Sequence, residues 1–205
     1  FLGLYFAVLA VLAMYGSHRY RMAYLYYRHK FSLPTPKGRF EKMPRVTIQL
    51  PVFNEVYVVE RLIDAVCRIR YPRELFEVQV LDDSTDETCG IARAAVERWK
   101  AQGVDISYVH RQNRQGFKAG ALENGLKLAK GEYVAVFDAD FVPNPDFLER
   151  TVPFFADAEV GMVQVRWGHL NREYSVLTQA QSIFLDGHFV IEHTARNRSG
   201  CFFNF

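Results

Sequence analysis

The sequence predicts an α/β domain on a mainly parallel sheet, preceded by a partial transmembrane helix. Three observations carry this expectation. From residue 45 onward, short runs rich in β-branched and aromatic residues alternate with helix-patterned segments, the order that makes βαβ units. Residues 1–16 carry no charge at all. The 205 residues are 49% hydrophobic and 23% charged, enough for one core and unlike a disordered, collagen-like or low-complexity chain. The net charge of +2 conceals two opposed segments. Residues 17–45 carry eight Lys/Arg against one Glu, while residues 46–205 carry a surplus of five acidic groups.

Residues 1–16 read as a partial transmembrane helix of roughly 24 Å, short of the roughly 30 Å hydrocarbon thickness. Residues 17–44 read as a basic interfacial linker, with Arg19, Arg21, Arg28 and Lys30 among tyrosines. Such a flank suits a cytoplasmic interface and puts residues 17–205 in the cytoplasm. A signal peptide would carry its charges ahead of the apolar run, and a buried core helix is the other alternative. Cys67, Cys89 and Cys201 have neither pairing nor metal spacing and read as free thiols. Phe1 already sits inside the apolar run and Cys201–Phe205 bears no terminating signal, so a piece of a longer protein is expected.

Strand one is expected over Arg45–Leu50, stopped by Pro51, and a helix over Glu55–Arg70. Phe76–Leu81 reads as strand two, followed by a helix that Asp86 caps and that runs to about Ala101. Ile106–Val109 is strand three, Lys118–Lys130 a helix and Tyr133–Phe137 strand four. Asn144 and Pro145 fit the N-cap and first position of a further helix. Val160–Val165 reads as a fifth strand, and Tyr174–His193 as an amphipathic segment. His188 and His193 are five apart, which is not a zinc motif.

Ligands of parallel sheets bind beyond the carboxyl ends of the strands. Pro51, Asn54 and Glu55 follow strand one; Asp82, Asp83 and Asp86 follow strand two. Asn113, Gly116, Lys118 and Gly120 follow strand three, and Asp138 and Asp140 follow strand four. Asp138 and Asp140 form an oxygen-donor pair for Mn²⁺ or Mg²⁺, the alternative being a turn with solvated carboxylates. Asp82 and Asp83 are placed to accept hydrogen bonds from a base and a ribose; otherwise Asp83 or Ser84 only caps a helix. Lys118 at a helix start suits a diphosphate.

These strand ends, in this order, resemble the family-2 glycosyltransferases. The resemblance is strongest to the membrane-bound processive branch of cellulose synthases and cellulose synthase-like mannan and glucomannan synthases. It rests on Pro51–Glu55, Leu81–Asp86, Asn113 with Gly116–Leu122, Phe137–Phe141 and Val163–Trp167, and Phe203–Phe205 resembles the start of a phenylalanine-rich segment. It covers residues 45–205, read as the incomplete N-terminal and central part of a GT-A (Rossmann-like) domain. The resemblance implies inverting, metal-dependent transfer of a hexose from UDP-glucose or GDP-mannose to a growing β-linked polysaccharide or oligosaccharide acceptor. It implies that Pro51, Asn54 and Glu55 line the base and ribose pocket, with Asp82 or Asp83 on the base. Asn113 and Lys118 then lie on the nucleotide side, Asp138 on donor and metal, Asp140 on the metal, and Gln164 and Trp167 on the acceptor or sugar side. The family's general-base Asp and its Gln-x-x-Arg-Trp motif are expected beyond Phe205. Gln164–Trp167 is one residue too short to be that motif. A donor-binding piece that does not turn over efficiently alone is therefore expected, in an inner or plasma membrane. Lipid is an expected partner, as are further synthase subunits. Nucleic acid is not, because the globular part is acidic. The rival readings are a membrane-tethered, non-catalytic nucleotide-sugar-binding subunit and an aspartate-nucleophile phosphatase.

Overall fold

The structure is a computed structural model and describes residues 1–201; the motif read at Phe203–Phe205 lies outside them. Two compact units are present. One is Pro36–Gly161, and the other combines Phe1–Thr35 with the chain from Met162 onward.

The first unit holds four parallel strands: β1 (Val46–Val52), β2 (Phe76–Asp82), β3 (Ile106–His110) and β4 (Tyr133–Val136). Their spatial order is β3-β2-β1-β4. The chain builds outward from β1 to β3 and then returns to β1's other side, so the switch point of the sheet lies between β1 and β4. Period-two alternation explains the layers on either face. Val46, Ile48, Leu50, Phe76, Val78 and Val80 share one face and form the core with α2 (Val59–Cys67) and α3 (Thr88–Ala101). In α2, Val59, Leu62, Ile63 and Val66 fall at i, i+3, i+4 and i+7, and all are buried. Each fully buried side chain of this size contributes about 1.5–3 kcal/mol.

The opposite face carries buried polar groups, because Thr47, Gln49, Glu77 and Gln79 point there. Burial is tolerated because each is hydrogen-bonded. Thr47 Oγ1 donates to Glu77 Oε1 (2.7 Å), Gly131 N–H donates to Thr47 Oγ1 (2.9 Å), and Gln49 Nε2 donates to Gln79 Oε1 (3.0 Å). Helix α4 (Phe117–Leu126) covers this face, with Gln49 Nε2 also reaching the Leu122 carbonyl at 3.4 Å.

Several expectations are corrected. Pro51 does not stop β1, which continues through it to Val52. The Gln49 carbonyl accepts from Phe137 on the β4 side, and the Val52 carbonyl accepts from Asp83 on the β2 side. By alternation Pro51 faces the β4 side, past Val136, where no ladder bond is required of its nitrogen. The fifth strand is absent among the described residues: residues 160–165 are irregular, and the four-stranded sheet pairs only within itself. An alternating pattern supplies a face but not a neighbour to pair with. The helix expected from Asn144 begins later, as α5 (Phe147–Thr151), with the Phe147 N–H bonded to the Asn144 carbonyl (3.0 Å).

In the second unit, α1 (Leu2–His29) runs without a break through the segment expected to be a linker from residue 17. It is long and apolar enough to cross a membrane, and residues 1–15 are exposed. The amphipathic segment forms α6 (Val176–Asp186), a π-helical stretch (Gly187–Glu192) and α7 (His193–Arg198). Ser175 and Thr178 form a capping box at its start. Arg19 pairs with Glu192, whose other oxygen lies 3.6 Å from His188 Nδ1.

Candidate nucleotide and metal site

Four loops leave the carboxyl ends of the sheet. The first two are tied together by Asn54. Its backbone sits in the left-handed region (φ 55°), which Asn tolerates better than most residues. Its N–H donates to Ser84 Oγ (2.8 Å) and its Oδ1 accepts from the Thr85 N–H (3.0 Å). Asn54 thus fixes the loop after β1, which carries Glu55, against the loop after β2.

Adjacent carboxylates take different places. Asp82 continues the inward alternation of Val78 and Val80 and has 0% exposure. Its Oδ1 accepts from the Ser84 N–H (2.9 Å) and its Oδ2 accepts from the Tyr108 hydroxyl (2.6 Å). Asp82, one of the two carboxylates expected on the base side, therefore lies beneath the edge. Asp83 lies one residue further out and is gripped by both arms of the Arg111 guanidinium, with Nε at 2.7 Å from Oδ1. The same guanidinium donates to the carbonyls of Gln115 and Phe117, each at 3.2 Å. This fork raises the Arg111 pKa above its usual value, chiefly through the hydrogen bonds to Asp83. Asp86, expected to cap α3, sits one residue before the N-cap position, which Glu87 occupies, and its Oδ1 accepts from the Thr88 N–H (3.0 Å).

Arg111 does not stand out in the sequence as a site residue. The available signal is Asp83 itself, since a buried carboxylate demands a partner.

The loop after β3 enters α4 through Gly116 (φ 75°) and Phe117 (φ 49°), two successive left-handed residues. Glycine adopts this freely, whereas Phe117 carries strain of order 1–3 kcal/mol. The Arg111 bond to its carbonyl holds it there. The turn aims the start of α4 and Lys118 at the sheet edge. A Cβ on Gly120 would collide with the Gln115 carbonyl, so the small residue permits the close approach. Asn113 is exposed in this loop.

Lys118 Nζ pairs with Asp138 Oδ1, bringing together residues twenty apart in sequence. Asp138 is half-buried, Asp140 is exposed, and a turn closed by Phe141 N–H on the Asp138 carbonyl (3.0 Å) presents them. Magnitudes separate the two ion pairs of the edge. Lys118 and Asp138 are 53% and 37% exposed, so their pair is worth about 0–1 kcal/mol and exchanges readily for a ligand. Arg111 and Asp83 are 14% and 5% exposed, and breaking such a pair costs about 3–5 kcal/mol. One pair is a frame and the other a contact that a ligand can take over. The donor set of Asp138 and Asp140 is all oxygen, solvent-accessible and beside the switch point, which fits a hard divalent cation.

Gln164 and Trp167 belong to the other compact unit, where Trp167 packs on Phe189 with ring centroids 5.1 Å apart.

A parallel sheet whose carboxyl edge joins a helix start and a lysine to two carboxylates is the layout of a nucleotide-diphosphate-binding α/β domain. The chain belongs to glycosyl transferase family 2, which matches residues 47–203. It is 44% identical over 174 residues to the probable glucomannan 4-beta-mannosyltransferase 7 of Oryza sativa subsp. japonica, covering 82% of this chain and 30% of that protein. It is 40% identical over 184 residues to the glucomannan 4-beta-mannosyltransferase 1 of Cyamopsis tetragonoloba, covering 86% of this chain and 35% of that protein. The chain thus spans about a third of the length of these curated relatives. Among solved structures, it is similar to a mannosyltransferase from Pyrobaculum calidifontis in complex with GDP-Man and Mn²⁺. That match has a TM-score of 0.57 and 34% identity, over 73% of this chain and 44% of that one. The fold is GT-A-like, and the family match does not favour the phosphatase reading.

Proposed function

We propose that this chain is the donor-binding part of a membrane-bound enzyme that transfers mannose from GDP-mannose, with inversion, to a growing β-linked polysaccharide. The observation that carries the reading is the joining of Asp83, Lys118, Asp138 and Asp140 at one sheet edge by loops that Asn54 and Arg111 tie together. The choice of GDP-mannose over UDP-glucose is supported by the names of the similar plant proteins and by the donor in the archaeal structure.

In this reading Pro51, Asn54 and Glu55 border the base and ribose. Asp83, held rigid by Arg111, offers its free lone pairs to the base, and Asp82 supports the loop from below. Lys118 leaves Asp138 for the diphosphate, helped by the amides that open α4. Asp138 and Asp140 hold Mn²⁺ or Mg²⁺, which when bound stabilises negative charge on the leaving diphosphate. Gln164 and Trp167 serve the acceptor or sugar side. None of the described residues is assigned the task of deprotonating the acceptor hydroxyl.

Helix α1 exposes an all-apolar half, and burying each such side chain is worth about 1.5–3 kcal/mol, which favours lipid over water. We read it as a membrane span with residues 17 onward on the cytoplasmic side, where Arg19, Arg21 and Arg28 meet the headgroups. Lipid and further synthase subunits are proposed partners.

Calorimetric titration of GDP-mannose and UDP-glucose, with and without Mn²⁺, tests the reading. Tighter binding of GDP-mannose, dependent on Mn²⁺ and lost in Asp140→Ala, is expected. Binding of neither nucleotide, with Asp140→Ala indistinguishable from wild type, would overturn it.

A further inference from the structure

The sheet edge holds a second set of metal-capable side chains that the nucleotide site leaves unused as ligands. Asp82 ends β2, Cys89 lies in the first turn of α3, and His110 ends β3. One carboxylate oxygen, the Sγ and one ring nitrogen all lie within 4.8 Å of one another. Asp82 and His110 are register partners across β2 and β3, with His110 Nδ1 3.9 Å from Asp82 Oδ2. Three separate elements bring these groups together, so local sequence spacing does not reveal the set.

The donor chemistry differs from that of Asp138 and Asp140. One oxygen, one imidazole nitrogen and one thiolate suit a zinc-class cation, whereas Mg²⁺ and Mn²⁺ prefer oxygen alone. Zinc bonds of about 2.0–2.3 Å set tetrahedral ligand atoms roughly 3.3–3.8 Å apart. The observed spacing needs only small side-chain shifts to reach this. Outer contacts that orient a metal ligand are also in place. The Ser84 N–H donates to Asp82 Oδ1 (2.9 Å), and the Tyr108 hydroxyl donates to Oδ2 (2.6 Å), leaving a further lone pair on that oxygen. In the metal-free site the Cys89 thiol donates to the Ser84 carbonyl at 3.1 Å, a bond given up when the thiol loses its proton to the solvent. Burial, and then the Asp82 charge, holds that thiol above its ordinary pKa. A divalent cation supplies a counter-charge to both groups. The His110 side chain is 33% exposed, which leaves an entry path and a position for a solvent ligand.

The geometry points to a zinc-class site formed by Asp82, Cys89 and His110, with water as fourth ligand, separate from the Asp138–Asp140 pair. On binding, the Cys89 thiol gives its proton to solvent and the thiolate bonds the metal, with no change of oxidation state. The loaded site pins β2, β3 and α3 directly beneath Asp83.

Co²⁺ serves as the spectroscopic probe on the purified 205-residue chain. One equivalent is expected to give a thiolate-to-cobalt charge-transfer band that Zn²⁺ displaces. The band should disappear in Cys89→Ala and persist in Asp140→Ala and Cys201→Ala. Tyr108→Phe should weaken Co²⁺ binding by about tenfold or more. A wild-type chain without the band, or a band that survives in Cys89→Ala, overturns the proposal. A second measurement needs no variant: Zn²⁺, but not Mg²⁺, should slow alkylation of Cys89 in the native chain, as read by mass spectrometry. Equal alkylation with and without Zn²⁺ also overturns it. Neither readout depends on donor binding, so failure here and failure of the glycosyltransferase reading are distinguishable.

Discussion

Arg111 is the residue on which the edge is built. Its fork spans a buried carboxylate and two carbonyls of the turn into α4, and only a planar guanidinium matches that set. Arg111→Lys keeps the charge and loses the fork. We expect the melting temperature to fall and GDP-mannose affinity to drop by about tenfold or more, since a charged hydrogen bond is worth about 1.5–3 kcal/mol. Unchanged calorimetric affinity would show that the turn does not depend on Arg111. Two other residues set an alkaline limit. Burial pushes the Cys67 thiol up to about 12 and the Tyr71 phenol, which donates to the Pro44 carbonyl, also up to about 12. Above the unfolded-state values of 9.0 and 10.0, the unfolded chain has released protons that the folded chain retains. Stability that is complete below about pH 9 is therefore lost progressively toward pH 12. Melting temperatures between pH 8 and 11 should decline, and Cys67→Ala should flatten the decline from a lower starting point. An equally steep decline in that variant would remove Cys67 as a cause.

Among the elements, α4 is the most constrained by its surroundings. A Cβ on Gly125 would lie 2.7 Å from Gln49 Nε2 and from Leu81 Cδ1, against the polar face of the sheet. Gly125→Ala is expected to cost about 1–3 kcal/mol through overpacking. Gly90, exposed in α3 with nothing within 4 Å of an added Cβ, offers the contrast. Gly90→Ala should stabilise by about 0.4–1 kcal/mol, because it lowers the entropy of the unfolded chain. Urea unfolding of both variants checks the pair, and a stabilising Gly125→Ala would show that α4 stands off the sheet. Within the strands, alternation is readable in Val46, Ile48 and Leu50, which makes the four paired strands predictable. Pro51 reads as a terminator because the sequence does not say which neighbour its nitrogen faces. Val160–Val165 reads as a strand because a pattern cannot show that no partner is available.

At the scale of the whole molecule, the charge division becomes spatial. The apolar and basic parts share one continuous 28-residue helix, α1, about 42 Å long by its rise per residue. That length exceeds a bilayer's hydrocarbon thickness and leaves a basic turn for the interface. The chain should sediment with membranes and resist extraction by alkaline carbonate, while removal of residues 1–30 should release it. Release of the intact chain by carbonate alone would rule out a span.

The α/β class, the strands that pair, the apolar helix and the carboxyl-edge positions of Asn54, Asp83, Lys118, Asp138 and Asp140 are all legible in the order of residues. They depend on local period and on the residue types that succeed each strand, and both are written along the chain. The folded arrangement alone establishes that Asp82 is buried while Asp83 faces Arg111, that Lys118 meets Asp138, and that Cys89 and His110 converge on Asp82. Those contacts join residues from different strands and helices, and sequence order carries no record of which side chain lies across from which.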